Sequence, residues 1–450
     1  MQRPVKALIL AYDFPPLVRV GGLRAYSWLR YLGAYGVEPV VVTRQWENRY
    51  GDERDYVAPS ATPEVVVEPS DHGTVLRTPY RPNLSNRLLL THGPKKFRLI
   101  RKAITAAYEI GQYYLPIGPR YGLYQAAREY LHRNPVDALV ATGEPFVLFR
   151  YASLLASEFG IPWIADYRDP WSHDLGQPLK QISPSWETRV ERRFTRSVSA
   201  VTTVSEFFRD LLAPMHPGKT VHIVPNGYDP EAVAMASGVE QGHDRLTIAL
   251  AGSLYPWHPV RSFLEVCDRL VRERGCALSL KFVGINARTE VEGMLASEFP
   301  GLAPHVTILD RLPNGQAAAE MSAANALLLF NDYATVGSKV YEYLALRRKV
   351  LLCFSNDPEA LRLKERCYNL PHGAFETHRP IERLIEEARA GVVIRDAHHL
   401  DAVLRGLLDE FQKNRRIAWD GASAEAFSRR AQAQRMAAIL REMRQSCARS

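Results

Sequence analysis

Runs of β-branched and aliphatic residues alternate with helical segments along nearly the whole chain, and the pattern restarts once, after Pro225-Asn226-Gly227. Residues 5–11, 37–43, 138–141, 162–166 and 200–204 read as strands. Residues 23–35, 122–132, 146–159 and 185–197 carry the three-to-four-residue apolar spacing of helices. Residues 44–81 are less regular, with a strand-like piece at 64–67. Beyond the restart, strands are expected at 246–251, 278–283, 306–309, 326–330, 349–353 and 391–394. Helices are expected there at 260–274, 291–299, 315–324, 339–345 and 400–413. A strand followed by a helix returns to the same edge of its sheet, so the strands run parallel and helices cover both faces.

The expected fold is α/β, with two doubly wound Rossmann-like domains facing across a cleft lined by strand C-terminal ends. The domains are placed at 1–215 and 216–422, the join falling where Pro, Gly and Asn cluster. The stretch 423–450 reads as a helix crossing back to the first domain. A chain of 450 residues has material for two such cores.

Five scattered cysteines with no CxxC pair argue against a disulfide framework or a zinc knuckle and fit a reducing compartment. The opening MQRPVKALILAYDF reads as a first strand, not a signal peptide, so a cytoplasmic location is expected. A net charge of +8 suits a negatively charged partner: a phosphorylated small molecule, an anionic membrane surface or nucleic acid. The sequence has no GxxxxGK[ST] loop, HExxH or GxSxG, and its first strand–helix turn is not GxGxxG. Those absences disfavour P-loop, zincin, hydrolase-elbow and nicotinamide-binding classes.

The most informative stretch is FNDYATVGSKVYEYLALRRKVLL, Phe330 to Leu352. A strand ends at Asn331-Asp332, a short loop reaches Gly337-Ser338-Lys339, and a helix then carries Glu342. Backbone amides and the dipole at a helix start favour a phosphate, to which Ser338 and Lys339 add a hydroxyl and a charge. Glu342 is three residues on, near the same face, with two acceptor oxygens suited to neighbouring ribose hydroxyls. Phosphate and ribose side by side describe a nucleoside diphosphate. The same spacing equally fits a Lys–Glu pair opening an ordinary amphipathic helix.

Taken with VTTVSEFFRDLL (Val201–Leu212), VPNGYD (Val224–Asp229) and YDFPPLVRVGGLRAYSWLRYL (Tyr12–Leu32), the stretch VGSKVYEYLALRRKVLL resembles the family 4 (GT4) retaining glycosyltransferases of GT-B fold. The resemblance implies sugar transfer from a nucleotide-sugar with retention of anomeric configuration and without a metal or other cofactor. It implies a donor in the C-terminal domain and an acceptor in the N-terminal one. Glu342 would then bind the donor ribose, with Ser338 and Lys339 near the diphosphate. Gly21 and Gly22, lacking side chains, would let the first turn approach the donor phosphates, with Arg19 or Arg24 adding charge.

The chain departs from the family in two places. Ala334 stands where the first carboxylate of an E-x7-E motif would precede Glu342. Ser253 follows Gly252 where the family often has arginine, so Ser253 is expected beside the donor and Arg261 becomes the candidate cation for the leaving diphosphate, with His258 also near. On the acceptor side, ATGEPF and IADYRDPWSHD each follow a strand. They offer Glu144 and Asp169 to an acceptor hydroxyl and Arg168 to a phosphate or to Asp169. Asp166 and Asp169 are three apart, which does not make a DxD metal motif.

HGPKKFRLIRKAITAAYEIGQYYL sets Lys95, Lys96, Arg98, Arg101 and Lys102 beside Phe97, Leu99, Ile100 and Ile104. Such a helix over residues 95–104 suits either an anionic lipid surface, with a lipid-linked acceptor in reach, or an ordinary basic surface. The reading that results is a retaining glycosyltransferase of cell-surface polysaccharide or other glycoconjugate synthesis, cytoplasmic and peripheral on the membrane. Catalysis is expected from Asp169, Arg261 and Lys339. The rivals are a nucleotide-sugar 2-epimerase of the same fold, a non-catalytic nucleic-acid-binding protein and an inactive member. The basic residues are dispersed and no nucleic-acid module is present, so no nucleic-acid partner is expected.

Overall fold

The computed structural model describes residues 3–17, 19–47, 53–172, 184–275, 278–333, 335–368, 373 and 379–447. The chain forms two compact units: Met1–Pro225 with Arg430–Ser450, and Asn226–Arg429.

In the first unit the strands are β1 (Val5–Leu10), β2 (Val37–Arg44), β3 (Val66–Ser70), β4 (Gly73–Thr78), β5 (Ala138–Gly143), β6 (Trp163–Tyr167), β7 (Ala200–Thr203) and β8 (Val221–Ile223). They form one sheet in the order β3-β4-β2-β1-β5-β6-β7-β8. Its pairs are parallel except the β3–β4 hairpin. Alternation along β1 feeds two cores: Leu8 and Leu10 pack on one face, Val5, Ala7 and Ile9 on the other. The second face is closed partly by the C-terminal helix Arg429–Cys447, which contributes Ala433, Met436, Ala437 and Leu440.

In the second unit the strands are β9 (Leu246–Ala251), β10 (Leu278–Val283), β11 (Val306–Leu309), β12 (Ala326–Phe330), β13 (Lys349–Cys353) and β14 (Gly391–Ile394). The order is β11-β10-β9-β12-β13-β14, with parallel pairs. Cores again lie on both faces. Both units are thus doubly wound, as the alternation of apolar runs implied.

In each sheet the chain leaves a central strand in one direction and later resumes on its other side. The reversal lies between β1 and β5 in the first unit and between β9 and β12 in the second. Successive crossovers diverge there, leaving a crevice at the strand C-terminal ends. Those ends are Asp13 and Glu144 in one unit, and Gly252–Ser253 and Asn331–Asp332 in the other.

The first helix differs from its expected span. It runs Val20–Tyr31, so Gly21 and Gly22 lie in its first turn and not in a loop before it. The piece expected at 64–67 is the strand Val66–Ser70, and its hairpin partner Gly73–Thr78 carries no strong alternation to announce it.

Candidate functional site

In the second unit, Lys339 opens the helix Lys339–Leu346 immediately after Ser338 at the N-cap. The hydroxyl of Tyr343 accepts the Ala251 amide at 2.9 Å, which pins this helix to the end of β9. Gly252 follows with φ +87°, its amide donating to the Val283 carbonyl at 2.8 Å. A Cβ at Gly252 would fall 2.5 Å from both Cε and Nζ of Lys339. The lysine therefore lies directly over the glycine, and its ammonium reaches within 3.5 Å of the Ser253 carbonyl. Burial pushes the Lys339 pKa below its ordinary value, against the opposing charges of Asp332 and Glu342.

Glu342 lies one turn further along the same helix. Burial raises its pKa, while Arg429 and Lys339 pull it down and Asp229 pushes it up. Arg429 is itself buried and pairs with Asp229 at 3.5 Å. The fold thus brings Ser253, Ser338, Lys339 and Glu342 to one end of the sheet, beside the β9–β12 reversal.

Arg261 is not brought to this group. Val260, Phe263, Leu264 and Cys267 form the buried stripe of the helix Val260–Arg274. Arg261 is one residue off that stripe, about a quarter-turn away. Its side chain is 72% exposed and pairs with Glu298 at 2.6 Å. Ala334 lies outside the described residues.

A buried charge cluster outside the sequence-derived candidates lies next to Lys339. Lys364, on the helix Pro358–Tyr368, has a fully buried side chain. Its ammonium donates to the Asp332 backbone carbonyl and to the Thr335 hydroxyl at 2.7 Å, and sits 3.3 Å from Asp332 Oδ1. Trp257 Nε1 donates to the same carboxylate at 2.9 Å, and His258 Nε2 lies 3.6 Å from it. His258 Nδ1 accepts the Tyr255 amide, so the ring proton sits on Nε2, facing Asp332. Burial would raise the Asp332 pKa, but Lys364, His258 and Trp257 together hold it well below the usual carboxylate range. A signal for Lys364 was present: it continues the buried stripe of Ala360 and Leu361 at helical spacing, a position where lysine stands out. Arg429 and Asp229 gave none, being two hundred residues apart along the chain.

In the first unit Gly21, Glu144 and Arg168 come together. A Cβ at Gly21 would stand 2.1 Å from Arg168 Nη1, so the glycine makes room for that guanidinium at the start of the first helix. Arg168 Nε donates to the Gly143 carbonyl and Nη2 reaches that of Glu144 at 3.4 Å. Gly22 has a different local reason. A Cβ there would press on the backbone of Asp13 and Phe14 at 3.0 Å, so it permits the helix to pack against the β1 exit. Asp169 is exposed beside Arg168. Asp13, which no sequence pattern marks, lies at the β1 exit. Burial raises its pKa, opposed by Arg168 and Arg19, and one carboxylate oxygen is buried without a hydrogen bond. At the neighbouring strand end, a cavity of about 260 Å³ is lined by Leu17, Arg44, Trp46, Asp55 and Tyr56 among others. The Arg44 guanidinium is held 4.0 Å from the Trp46 ring and 3.6 Å from that of Tyr80.

Arg24, a candidate phosphate cation, is fully engaged elsewhere. It pairs with the buried Asp166 through Nη2 at 2.7 Å and Nε at 3.0 Å, and donates through Nη1 to the Val224 carbonyl at 2.7 Å. Thr202 donates a further hydrogen bond to Asp166 at 2.6 Å. This network ties the first helix to the sheet. Arg19 is exposed, 4.5 Å from the Tyr56 ring.

A family model, Glycosyltransferase Family 4, matches residues 107–232. Sucrose-phosphate synthase from Thermosynechococcus elongatus is similar in structure at TM-score 0.58 and 13% identity, over 99% of this chain and 98% of that one. The catalytic domain of starch synthase IV from Arabidopsis thaliana, bound to ADP and acarbose, matches at TM-score 0.55 and 12% identity, over 98% and 100%. An α,α-trehalose 6-phosphate synthase from Burkholderia multivorans matches at TM-score 0.55 and 12% identity, over 99% and 98%. A search of curated proteins gave no match. The chain therefore has the GT-B fold, and its residues 107–232 match the Glycosyltransferase Family 4 model.

Proposed function

We propose that the protein is a retaining, metal-independent glycosyltransferase that moves a sugar from a nucleotide-sugar to a hydroxyl of a saccharide or lipid-linked acceptor in glycoconjugate or polysaccharide synthesis. The observation that carries this reading is Lys339 laid over Gly252 at the end of β9, with Glu342 one turn on. A cation, a helix N-terminus and a carboxylate then follow one another in the order of a diphosphate and its ribose. The ADP held by the Arabidopsis starch synthase structure supports a nucleoside diphosphate as the ligand class.

In this reading Lys339, Ser338, Ser253 and the helix amides hold the diphosphate, and Glu342 accepts hydrogen bonds from the ribose hydroxyls. Arg261, paired at the surface, is left out. Gly21 leaves room for the Arg168 guanidinium and Gly22 lets the first helix pack against the β1 exit, while Arg168, Glu144 and Asp169 orient the acceptor. The bond from the anomeric carbon to the diphosphate breaks as the acceptor oxygen bonds the same face. The acceptor proton passes to the departing phosphate oxygen, so no protein nucleophile is needed. Catalysis then rests on positioning and on charge stabilisation of the diphosphate.

Thermal unfolding against UDP, GDP, dTDP, CMP and ADP tests it, with Glu342→Ala in parallel. A binding nucleotide at a hundred times its Kd stabilises the fold by about 2.7 kcal/mol. One nucleotide should raise Tm in the wild type and lose that effect in the variant. No shift with any of the five, in well-folded protein, overturns the proposal.

A further inference from the structure

The helix Arg98–Gly111 is packed the wrong way round for a soluble protein. An amphipathic surface helix ordinarily turns its apolar stripe to the core. Here Leu99, Ala103, Ala107 and Ile110, spaced four, four and three residues apart, are all exposed, as is the adjoining Ile100. Leu99 is 81% exposed and Ile100 55%. The side that faces the protein is half-buried and mixed, with Arg101, Ile104, Thr105 and Tyr108. Ser85 donates to the Arg101 carbonyl at 3.0 Å and bonds the Thr105 hydroxyl at 2.8 Å. The Arg101 guanidinium donates to the Pro94 carbonyl at 3.0 Å. The packing is specific, so the outward apolar stripe is a fixed feature of the first unit.

Cations rim the stripe. Lys95, Lys96, Arg98 and Lys102 are exposed, and Phe97 is exposed between them. From residue 72 to residue 108 the chain carries eight lysines and arginines and no aspartate or glutamate, and the helix's one acidic residue, Glu109, is paired with Arg120 at 2.8 Å. Tyr114 and Leu115, just past the helix, add further exposed apolar surface. A stripe that is apolar along its middle and positive along its edge complements one surface chemistry: lipid acyl chains under anionic headgroups. We propose that this face docks the protein on an anionic lipid bilayer. Leu99, Ile100 and Ile110 enter the headgroup–acyl boundary, and Lys95, Lys96, Arg98 and Lys102 meet the phosphates. The docking is independent of the nucleotide reading. The helix also lies close to the first unit's strand ends. Glu109 and Gln112 both accept from Arg120, whose guanidinium lies 5.5 Å from the Tyr12 ring at the β1 exit.

Flotation of the full chain tests this with vesicles of phosphatidylcholine alone and of equal parts phosphatidylcholine and phosphatidylglycerol. Binding is expected to the mixed vesicles only and to fall with salt. Leu99→Gln with Ile100→Gln should weaken it by about tenfold or more, from lost apolar burial. Lys96→Gln and Lys102→Gln should each weaken it about fivefold. All these side chains are exposed, so the variants should keep wild-type Tm. Three results overturn the proposal: no flotation with mixed vesicles, flotation untouched by these substitutions, or concentration-dependent self-association that Leu99→Gln abolishes. The last would assign the stripe to a second copy of the chain.

Discussion

Replacing Gly252 with alanine tests the geometry on which the donor side rests. The backbone there has φ +87°, and a non-glycine residue in the left-handed region costs about 1–2 kcal/mol. The added Cβ would also sit 2.5 Å from the Cε and Nζ of Lys339, well inside the ~3.5–4.0 Å of an ordinary carbon contact. The end of the lysine must swing away by roughly 1 Å or more, and its 3.5 Å approach to the Ser253 carbonyl is lost. Charge-assisted hydrogen bonds are worth about 1.5–3 kcal/mol, so displacing the ammonium from a diphosphate weakens binding by about 10- to 150-fold. Isothermal titration with the nucleotide found by the thermal screen measures the change, and Lys339→Met sets its ceiling. Gly252→Ala should approach that ceiling while lowering stability only by its backbone cost. If Gly252→Ala binds like wild type while Lys339→Met does not, the glycine is not what positions the lysine, and the argument from close approach fails.

Two further outcomes concern stability. Asp166→Asn removes the carboxylate that pairs with Arg24 and leaves a buried guanidinium uncompensated, which should cost about 3–5 kcal/mol in urea unfolding; a loss under 1 kcal/mol would mean Arg24 finds another partner. His216 is buried against the Tyr167 ring, and burial lowers its pKa from 6.5 to about 4. The folded state therefore holds this proton more weakly than the unfolded chain. Stability present above pH 6.5 is lost as pH falls to about 4, by about 3 kcal/mol. His216→Gln should flatten that part of the acid profile, and an unchanged slope would count against the assignment.

Much of the secondary structure was legible because its cause is local. Strands β9 to β14 begin and end where the apolar runs do, since each is a stretch of side chains that only a two-sided sheet can bury. The Lys339–Glu342 pair was legible for a similar reason: helical spacing alone places both on one face, at a helix start. The boundaries that shifted are those set by packing. Gly21 and Gly22 resemble loop residues in sequence, yet they lie inside a helix, where glycine suits the turn because Arg168 and the Asp13–Phe14 backbone crowd it.

The strand–helix grammar, the two-unit fold and the candidate donor motif can be read from residue order, because periodicity records which residues share a face. Where each face points and which charges meet depend on packing between distant segments. Arg24 and Arg261 look equally available in sequence. The first is consumed by Asp166 across the sheet, and the second falls one residue off a buried stripe and out to Glu298. Lys364 reaches Asp332, and Arg429 reaches Asp229, only because sheet order and chain return bring distant segments together. The helix Arg98–Gly111 is the plainest case. Its amphipathic pattern is written in the sequence, but a period carries no direction, and it took the hydrogen bonds of Ser85 and Arg101 to turn the apolar stripe outward.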